Sequence, residues 1–197
     1  MTSRLWAASV VLAMATACSA SGQEMVLRCD AAQSKAAWNL SDPLRTVAGD
    51  FKLKQCELHY DPSSGKASGE IVFDATTGQS GNHVRDHKMH KFVLESEKYP
   101  EIRFRPDHVE GAVAASGQSL LQVHGIFSIH GADHEITLPV TLSLSPPQWS
   151  ATSEFSLPYV KWGMKNPSVL FLRVGDNVAI NLRAAGSVVA GTPSAAK

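Results

Sequence analysis

The sequence predicts an all-β protein with about eight antiparallel strands, which close into a barrel or curl into a sandwich. Two observations carry this prediction. After residue 24 apolar and polar residues alternate in segment after segment, and turn-forming residues separate these segments. Only one segment has the periodicity of a helix. No internal repeat or linker divides the sequence, so we expect a single domain.

The strand segments can be followed in order along the chain. The clearest segment, from Ile136 to Leu144, has an apolar residue at every second position and ends before Pro146. This period of two places alternate side chains on one face of a half-buried strand. The turn signals between segments include residues 61–65 and 131–133. The other segments are residues 47–53, 71–73, 101–105, 121–129, 149–157 and 178–182.

One short helix is predicted over residues 83–94, and Asn82 is a suitable N-cap residue because its side chain can accept a hydrogen bond from the first turn. Four residues of this segment can form an apolar stripe that faces the core. They are Val84, Met89, Phe92 and Val93.

The charge balance argues against an electrostatic partner. The chain has 18 Lys and Arg residues and 18 Asp and Glu residues, so its formal charge is zero. Binding to nucleic acid depends on an excess of basic side chains, and no such excess is present. Hydrophobic residues make up 44% of the sequence, which is the composition of a globular domain.

The first residues have the pattern of a secretory signal peptide, predicted over 1–17. Arg4 provides the positive charge, residues 5–15 are uncharged and apolar, and Ala15-Thr16-Ala17 is a suitable cleavage site. Cys18 follows this site directly, which leaves two outcomes open: a lipidated cysteine that anchors the protein to a membrane, or ordinary cleavage and a free exported protein.

The chain is therefore expected in the periplasm or otherwise exported. The mature domain is expected over residues 18–186. The small and polar residues of 187–197 predict a flexible C-terminal tail.

Two cysteines remain besides Cys18, and an even number in an exported chain favours a disulfide. The turn signal Ser41-Asp42-Pro43 predicts a hairpin about residues 42 and 43, and this register places Cys29 opposite Cys56. A β-bulge would shift the register, so the alternative of two separate thiols stays open.

Enzyme motifs are incomplete in this sequence. The stretch GQSGN at 78–82 has Asn82 where a nucleophile elbow requires glycine, and HEITL at 134–138 has Leu138 where a zinc-protease helix requires its second histidine. We therefore expect no catalytic residues and no enzymatic activity.

The eight histidines are the feature of the sequence that suggests metal binding. His83, His87 and His90 lie on one face of the predicted helix, and imidazoles at this spacing can share a divalent metal. His130 and His134 flank a predicted turn. One functional hypothesis, kept as the alternative to the function given below, is therefore a metal-dependent enzyme or metal-binding protein that uses His87, His90 and His134. A solvent-facing helix that carries histidines without a metal explains the same pattern.

Aromatic residues occur at about one per strand, which is more than a narrow barrel filled with aliphatic side chains needs. Together they could line an elongated apolar cavity, whereas each one alone is consistent with an ordinary core. They are Trp38, Phe51, Phe73, Phe104, Phe127, Phe155 and Trp162.

Four stretches in this order and spacing resemble the YceI family of lipid- and polyisoprenoid-binding domains. They are TVAGDFKLKQCELHYDPSSGKASGEIVFDATTGQSGNHVRDHKMH, KYPEIRFRPDHVEG, LLQVHGIFSIHGADHEITLPV and LPYVKWGMKNPSVLFLRVGDNVAINLRAAG. The resemblance covers about residues 25–186 and implies an eight-stranded antiparallel, lipocalin-like barrel with one or two short helices. Its lipid-binding positions are then expected at Phe51, Phe73, Met89, Ile102, Phe104, Phe127, Ile129, Trp162 and Met164.

The function implied by this resemblance is that of a periplasmic binding or carrier protein. Its ligand would be a polyisoprenoid or another long-chain lipid held inside the barrel, and a quinone would be such a ligand rather than a catalytic cofactor. No nucleic acid is expected as a partner. Membrane association through a lipidated Cys18 and the formation of a homodimer are left open.

Overall fold

The computed structural model describes residues 24–41, 46–168 and 174–190. The predicted signal segment 1–17 and Cys18 lie outside the described residues. Those described form nine antiparallel strands and one helical segment. The strands are β1 (Met25–Cys29), β2 (Lys35–Ser41), β3 (Thr46–Tyr60), β4 (Ala67–Gln79), β5 (Glu101–Glu110), β6 (Gly117–Ile129), β7 (Ala132–Ser145), β8 (Gln148–Leu157) and β9 (Val178–Ala190).

The sheet closes on itself to form a barrel. Each strand from β2 to β9 pairs with the next one along the chain, and β9 pairs with β2. Closure of the ring gives both sides of each of these strands a partner. The predicted eight-stranded antiparallel barrel with a short helix is confirmed, and the sandwich is not formed.

The additional strand, β1, exists because one strand position of the barrel is interrupted. Both β1 and β2 lie between β3 and β9, each at a different end of the barrel. Residues 30–34 loop out between them. The Asp30 carboxylate holds this loop by accepting hydrogen bonds from the Ala32 amide (2.8 Å) and from the Gln33 side chain (2.7 Å). Together β1 and β2 therefore form one of the eight strands.

The disulfide between Cys29 and Cys56 is confirmed, with the two Cα atoms 5.4 Å apart. The predicted register holds through β1, where Arg28 is opposite Glu57. It does not hold through β2, where Ser41 is opposite Thr46 and the register is shifted by two residues. The loop of residues 30–34 contains the additional residues that account for this shift. The cysteines therefore pair as predicted, although the strands of the β2–β3 hairpin pair in a different register from the predicted one.

The helical segment, residues 83–94, consists of an α-helix (α1, His83–Lys88) that continues as a π-helix over Met89–Leu94. The Asn82 side chain accepts a hydrogen bond from the Arg85 amide at 3.1 Å, which confirms the predicted N-cap. No helix in the described part of the chain has the length and apolar character needed to cross a bilayer.

The predicted apolar stripe on this segment is only partly correct. Met89 and Val93 pack against the core, but the Val84 residue is 69% exposed and Phe92 is 47% exposed. The change to π-helical hydrogen bonding alters the number of residues per turn, so the spacing expected for an α-helix does not hold as far as Phe92. The segment also lies across one end of the barrel, where only part of its surface is covered.

We call the end of the barrel that carries residues 83–94 the wide end, and the opposite end, where β1 begins and β9 finishes, the narrow end. β9 pairs with β1 as far as Ala190, so the barrel includes four residues of the segment 187–197 that the sequence predicts as a tail. In this pairing Val188 is opposite Leu27. The sequence predicts a frayed end here because the residues are small, but the pairing with β1 makes them part of a strand. The described chain therefore starts and finishes at the narrow end.

The turn between β6 and β7 differs slightly from its prediction. His130 and Gly131 form a two-residue loop, with φ of 52° and 77°, while Ala132 and Asp133 already belong to β7. Two successive residues with positive φ match the twist of the flanking strands. A Cβ atom on Gly131 would lie 2.4 Å from the Tyr99 ring, so this position requires glycine.

Candidate ligand-binding site

The barrel encloses a main cavity of about 500 Å³ that begins at the wide end. All eight strand positions contribute side chains to its wall, because every second residue of each strand points inward. The wall is overwhelmingly apolar. Its members on strands include Trp38, Phe51, Ile71, Phe73, Ile102, Phe104, Phe127, Ile129, Leu138, Phe155, Leu157, Ile180 and Leu182.

The main cavity reaches the surface beside the helical segment. Asn82, Val84 and Lys88 line it and are exposed, whereas Leu94, from the end of the same segment, is buried. The cavity is therefore a pocket with an opening at the wide end. Its volume lies within the range of about 300–1,000 Å³ typical of small-molecule sites.

Of the nine predicted lipid-binding residues, eight line the main cavity. The inward period of the strands explains the phenylalanines and isoleucines, and the helical segment and the loop after β8 bring Met89 and Met164 to the same space. Their contact with a lipid stays a prediction. The eight are Phe51, Phe73, Met89, Ile102, Phe104, Phe127, Ile129 and Met164.

Trp162 is the predicted residue that does not line the cavity. Its ring stacks on the His134 imidazole, with centroids 4.0 Å apart and an interplanar angle of 4°. Its centroid also lies 5.8 Å from that of Phe127. The indole therefore packs beside the wall of the cavity.

Sequence reasoning missed a second group of lining residues. Trp38 and Phe155 belong to the aromatic series noted above but fall outside the set implied by the resemblance. A residue two positions from a lining residue on the same strand points to the same side. This rule predicts Ile71 from Phe73 and Leu157 from Phe155 as further lining residues. The period of two does not reach Tyr159, because it lies beyond the end of β8.

The polar groups of the cavity are concentrated near its opening. The Arg85 guanidinium donates hydrogen bonds to the Ser80 hydroxyl (2.7 Å) and carbonyl (2.8 Å). The Tyr159 hydroxyl donates to the Gly175 carbonyl at 2.9 Å. Burial, together with the negative charge of Asp176, raises the pKa of Tyr159 to about 12, so this hydroxyl keeps its proton at neutral pH.

The histidines that suggested a metal site have other contacts. The His90 Nε2 atom donates to the Gly78 carbonyl (2.8 Å), which leaves Nδ1 to accept from the Ser96 hydroxyl (3.0 Å). His90 thus attaches the helical segment to β4. His87 is exposed on α1. Among the described residues, no group of three His, Cys, Asp or Glu side chains could hold a metal ion, so the alternative site does not bring His87, His90 and His134 together in such a group.

A second, smaller cavity of about 110 Å³ lies at the narrow end. Its wall is also apolar, and it includes Leu27, Leu58, Leu121 and Trp149. Four residues border both cavities, and we call them the partition. They are Ile71, Phe104, Leu138 and Leu182.

These features define the class of the protein as a lipocalin-like β-barrel with an internal apolar cavity open at one end. The chain belongs to the YceI-like domain family, whose sequence profile matches residues 27–185. Among curated proteins, none matches the chain.

Solved structures share the fold at low sequence identity. BcnA of Burkholderia cenocepacia is 19% identical, with a TM-score of 0.64 over 81% of this chain and 99% of its own. A polyisoprenoid-binding domain from Saccharophagus degradans, implicated in plant cell wall breakdown, is 16% identical, with a TM-score of 0.62 over 86% of this chain and 99% of its own. The YCEI protein of Campylobacter jejuni is 11% identical, with a TM-score of 0.51 over 95% and 98% of the two chains.

Proposed function

We propose that this protein binds one long-chain lipid of the isoprenoid class inside the barrel and carries it in the periplasm. The observation that supports this most directly is the main cavity, which is about 500 Å³ in volume, apolar on every strand and open at one end. An isoprenoid chain fits this chemistry because it is apolar along its length. The polyisoprenoid-binding domain with the same fold supports the ligand class.

The affinity of such a site would come from burial rather than from polar contacts. Transfer of each methylene group from water to an apolar wall contributes about 0.8 kcal/mol. A chain of several isoprene units therefore needs few hydrogen bonds to be held. The cations near the opening, Arg85 and Lys88, lie where a polar head group would remain close to water.

The cavity wall also supports binding without catalysis. Its described members include no His, Cys, Asp, Glu, Ser or Thr residue, and the Tyr159 hydroxyl has a pKa of about 12. These side chains offer no general base at neutral pH. In this proposal an isoprenoid quinone would be a bound cargo, and the protein would release it unchanged.

The test is the identity of the lipid that the native protein carries. Protein purified from its own cell envelope is extracted with organic solvent, and the extract is analysed by mass spectrometry. We expect an isoprenoid lipid, and we expect the emptied protein to bind a tritiated isoprenoid in solution. A folded protein that yields no lipid and does not bind the tritiated compound would show that the proposal is wrong.

A zinc titration of the same emptied protein tests the alternative hypothesis of a metal site. The proposal predicts that zinc has no specific site that depends on His87 and His90. Saturable zinc binding that disappears in the His87→Ala, His90→Ala variant would favour the alternative.

A further inference from the structure

The interior of the barrel is divided by the partition, the four side chains that border both cavities. Phe104 on β5 is directly opposite Ile71 on the neighbouring strand β4. Leu138 and Leu182 come from β7 and β9, on the other side of the eight-membered ring of strands. Side chains from two sides of the barrel therefore meet across its interior.

The members of the partition are packed tightly. Leu138 is 2% exposed and Phe104 is 8% exposed, and both belong to the same buried cluster as Ile71, with Leu182 packed against it. Phe104 has the largest side chain of the four, so removing its ring would open the widest connection between the cavities.

The space beyond the partition resembles an extension of the main cavity. At about 110 Å³ it is smaller than the usual range of ligand sites, and its wall is apolar. The Ser153 hydroxyl is one polar group there that is buried without a hydrogen-bond partner among the described residues. This small cavity has the chemistry to hold the tip of an apolar chain but not the volume to hold a whole ligand.

We infer that the partition sets the maximum length of isoprenoid chain that the barrel can bury. A chain enters through the wide end, and its last isoprene unit stops against Phe104 and Leu138. Longer chains leave their additional units outside the opening, in water. The inference rests on the proposed function, since it defines which members of the isoprenoid class are bound best.

The experiment measures affinity across a series of all-trans isoprenoid alcohols that differ by one isoprene unit, by displacement of an apolar fluorescent probe. For the wild-type protein we expect affinity to increase by about fourfold for each methylene buried, up to a limiting length, and then to level off. In Phe104→Ala the two cavities join, so the limit should move to a longer chain by at least one unit, with at least a tenfold gain for the first alcohol beyond the wild-type limit.

Phe73→Ala is the matched control. Phe73 is buried to a similar degree, with 6% exposure, but it lines only the main cavity. We expect its variant to bind all alcohols more weakly, with the limiting length unchanged. Leu182→Ala provides a second test of the partition through a less buried member, in case Phe104→Ala does not fold by circular dichroism.

The outcomes separate the two claims. If no alcohol of any length binds the wild-type protein, the proposed function itself is wrong. If the alcohols bind but the limit stays in place in folded Phe104→Ala and Leu182→Ala, or moves equally in Phe73→Ala, the partition does not select chain length although the protein binds isoprenoids.

Discussion

The two ends of the barrel are built in different ways. In the half of the barrel nearer the narrow end, the Cys29–Cys56 disulfide joins β1 to β3 where Cys56 is opposite Ile71 of the partition. Beside it the Arg28 guanidinium contacts the Glu57 carboxylate at 2.8 Å. The Trp149 indole N–H donates to the Arg28 carbonyl at 3.3 Å and connects β8 to the same region. These contacts join three strands around a small apolar space.

At the wide end, the covering element is a short helical segment that hydrogen bonds, rather than a covalent cross-link, connect to the barrel. The two hydrogen bonds of the His90 ring attach the segment to Gly78 and Ser96. Val84, at the opening, is 69% exposed. We expect from this comparison that the contacts near the narrow end contribute most to stability, whereas the wide end provides access to the cavity. Changes at the two ends should therefore affect different measurements.

The largest effect is expected from removal of the disulfide between β1 and β3. The cysteines are separated by 27 residues, and a cross-link over such a loop contributes about 3 to 4 kcal/mol through the entropy of the unfolded chain. Urea unfolding of Cys29→Ala, Cys56→Ala should show this loss in the free energy of unfolding. Isoprenoid affinity at low urea should change by less than about fourfold, the equivalent of one buried methylene group, because neither cysteine lines the main cavity.

Reduced wild-type protein is the control for this variant, and it should show the same loss of stability. A variant that unfolds as expected but also loses its affinity for isoprenoids would contradict the separation of the two ends.

The next largest effect is expected from a charge in the main cavity. Phe127→Asp should weaken isoprenoid binding by at least about a hundredfold, because it removes apolar contact and places a carboxylate against the chain. Leu120→Asp is a matched control, since Leu120 is on the same strand, β6, and is 77% exposed. Circular dichroism must show that both variants are folded. Equal isoprenoid affinity of the two variants would contradict a binding site inside the barrel. Substitution of a surface Lys or Arg should weaken isoprenoid binding far less than Phe127→Asp does.

A smaller effect is expected when the helix cap at the wide end is removed. Asn82→Ala eliminates the hydrogen bond to the Arg85 amide and should destabilise the helical segment by about 1 kcal/mol. We expect faster release of a bound isoprenoid in stopped-flow experiments and faster hydrogen exchange of the amides in residues 83–94. The exposed Asn39 on β2 gives the control Asn39→Ala, which should change neither rate. Unchanged release from Asn82→Ala would argue that the segment does not control access.

The smallest effect concerns the turn between β3 and β4 at the narrow end. Hydrogen bonds from the Ser63 and Ser64 hydroxyls and from the Ser63 amide lower the pKa of Asp61 from 3.8 to about 2. Because the folded-state pKa is the lower one, this contribution to stability is present above pH 3.8 and disappears as the pH falls towards 2.

Thermal unfolding should therefore show Asp61→Asn to be slightly less stable than wild type at neutral pH, and the difference should disappear in acid. Isoprenoid affinity should not change. A difference in stability that grows as the pH falls would contradict this role of the Asp61 carboxylate.

The sequence predicts the features that depend on local chemistry. The pleat of a strand fixes a period of two, so the alternation around Phe104 and Phe127 places each of them on the apolar face of its strand. Phe73 follows two other apolar residues, so its place depends on the family resemblance. The preference of Asn for the N-cap position depends only on the first turn of the helix, so the sequence alone predicts the cap at Asn82.

Features that depend on distant strands could not be predicted in this way. The partition combines side chains from β4, β5, β7 and β9, and no periodicity within one strand shows where they meet. Both β1 and β2 occupy one strand position of the barrel because residues 30–34 loop out between them. Nothing in the sequence of this loop distinguishes it from a turn between two neighbouring strands. Trp162 has the hydrophobic character of a cavity residue, and only the structure shows that its ring faces His134.

The positions of the first and last described residues bear on how an exported form of the protein would be oriented. Glu24 and Ala190 are both at the narrow end, opposite the opening. Residues 18–24 can extend over at most about 23 to 25 Å. In contrast, β6, with 13 residues, is about 43 Å long and spans roughly 33 Å along a barrel axis at the usual strand tilt. An acyl anchor on Cys18 would therefore direct the opening away from the membrane that holds it. Such a molecule would exchange its lipid with a partner or membrane facing it across the compartment, whereas a cleaved, diffusing form could turn its opening towards either side.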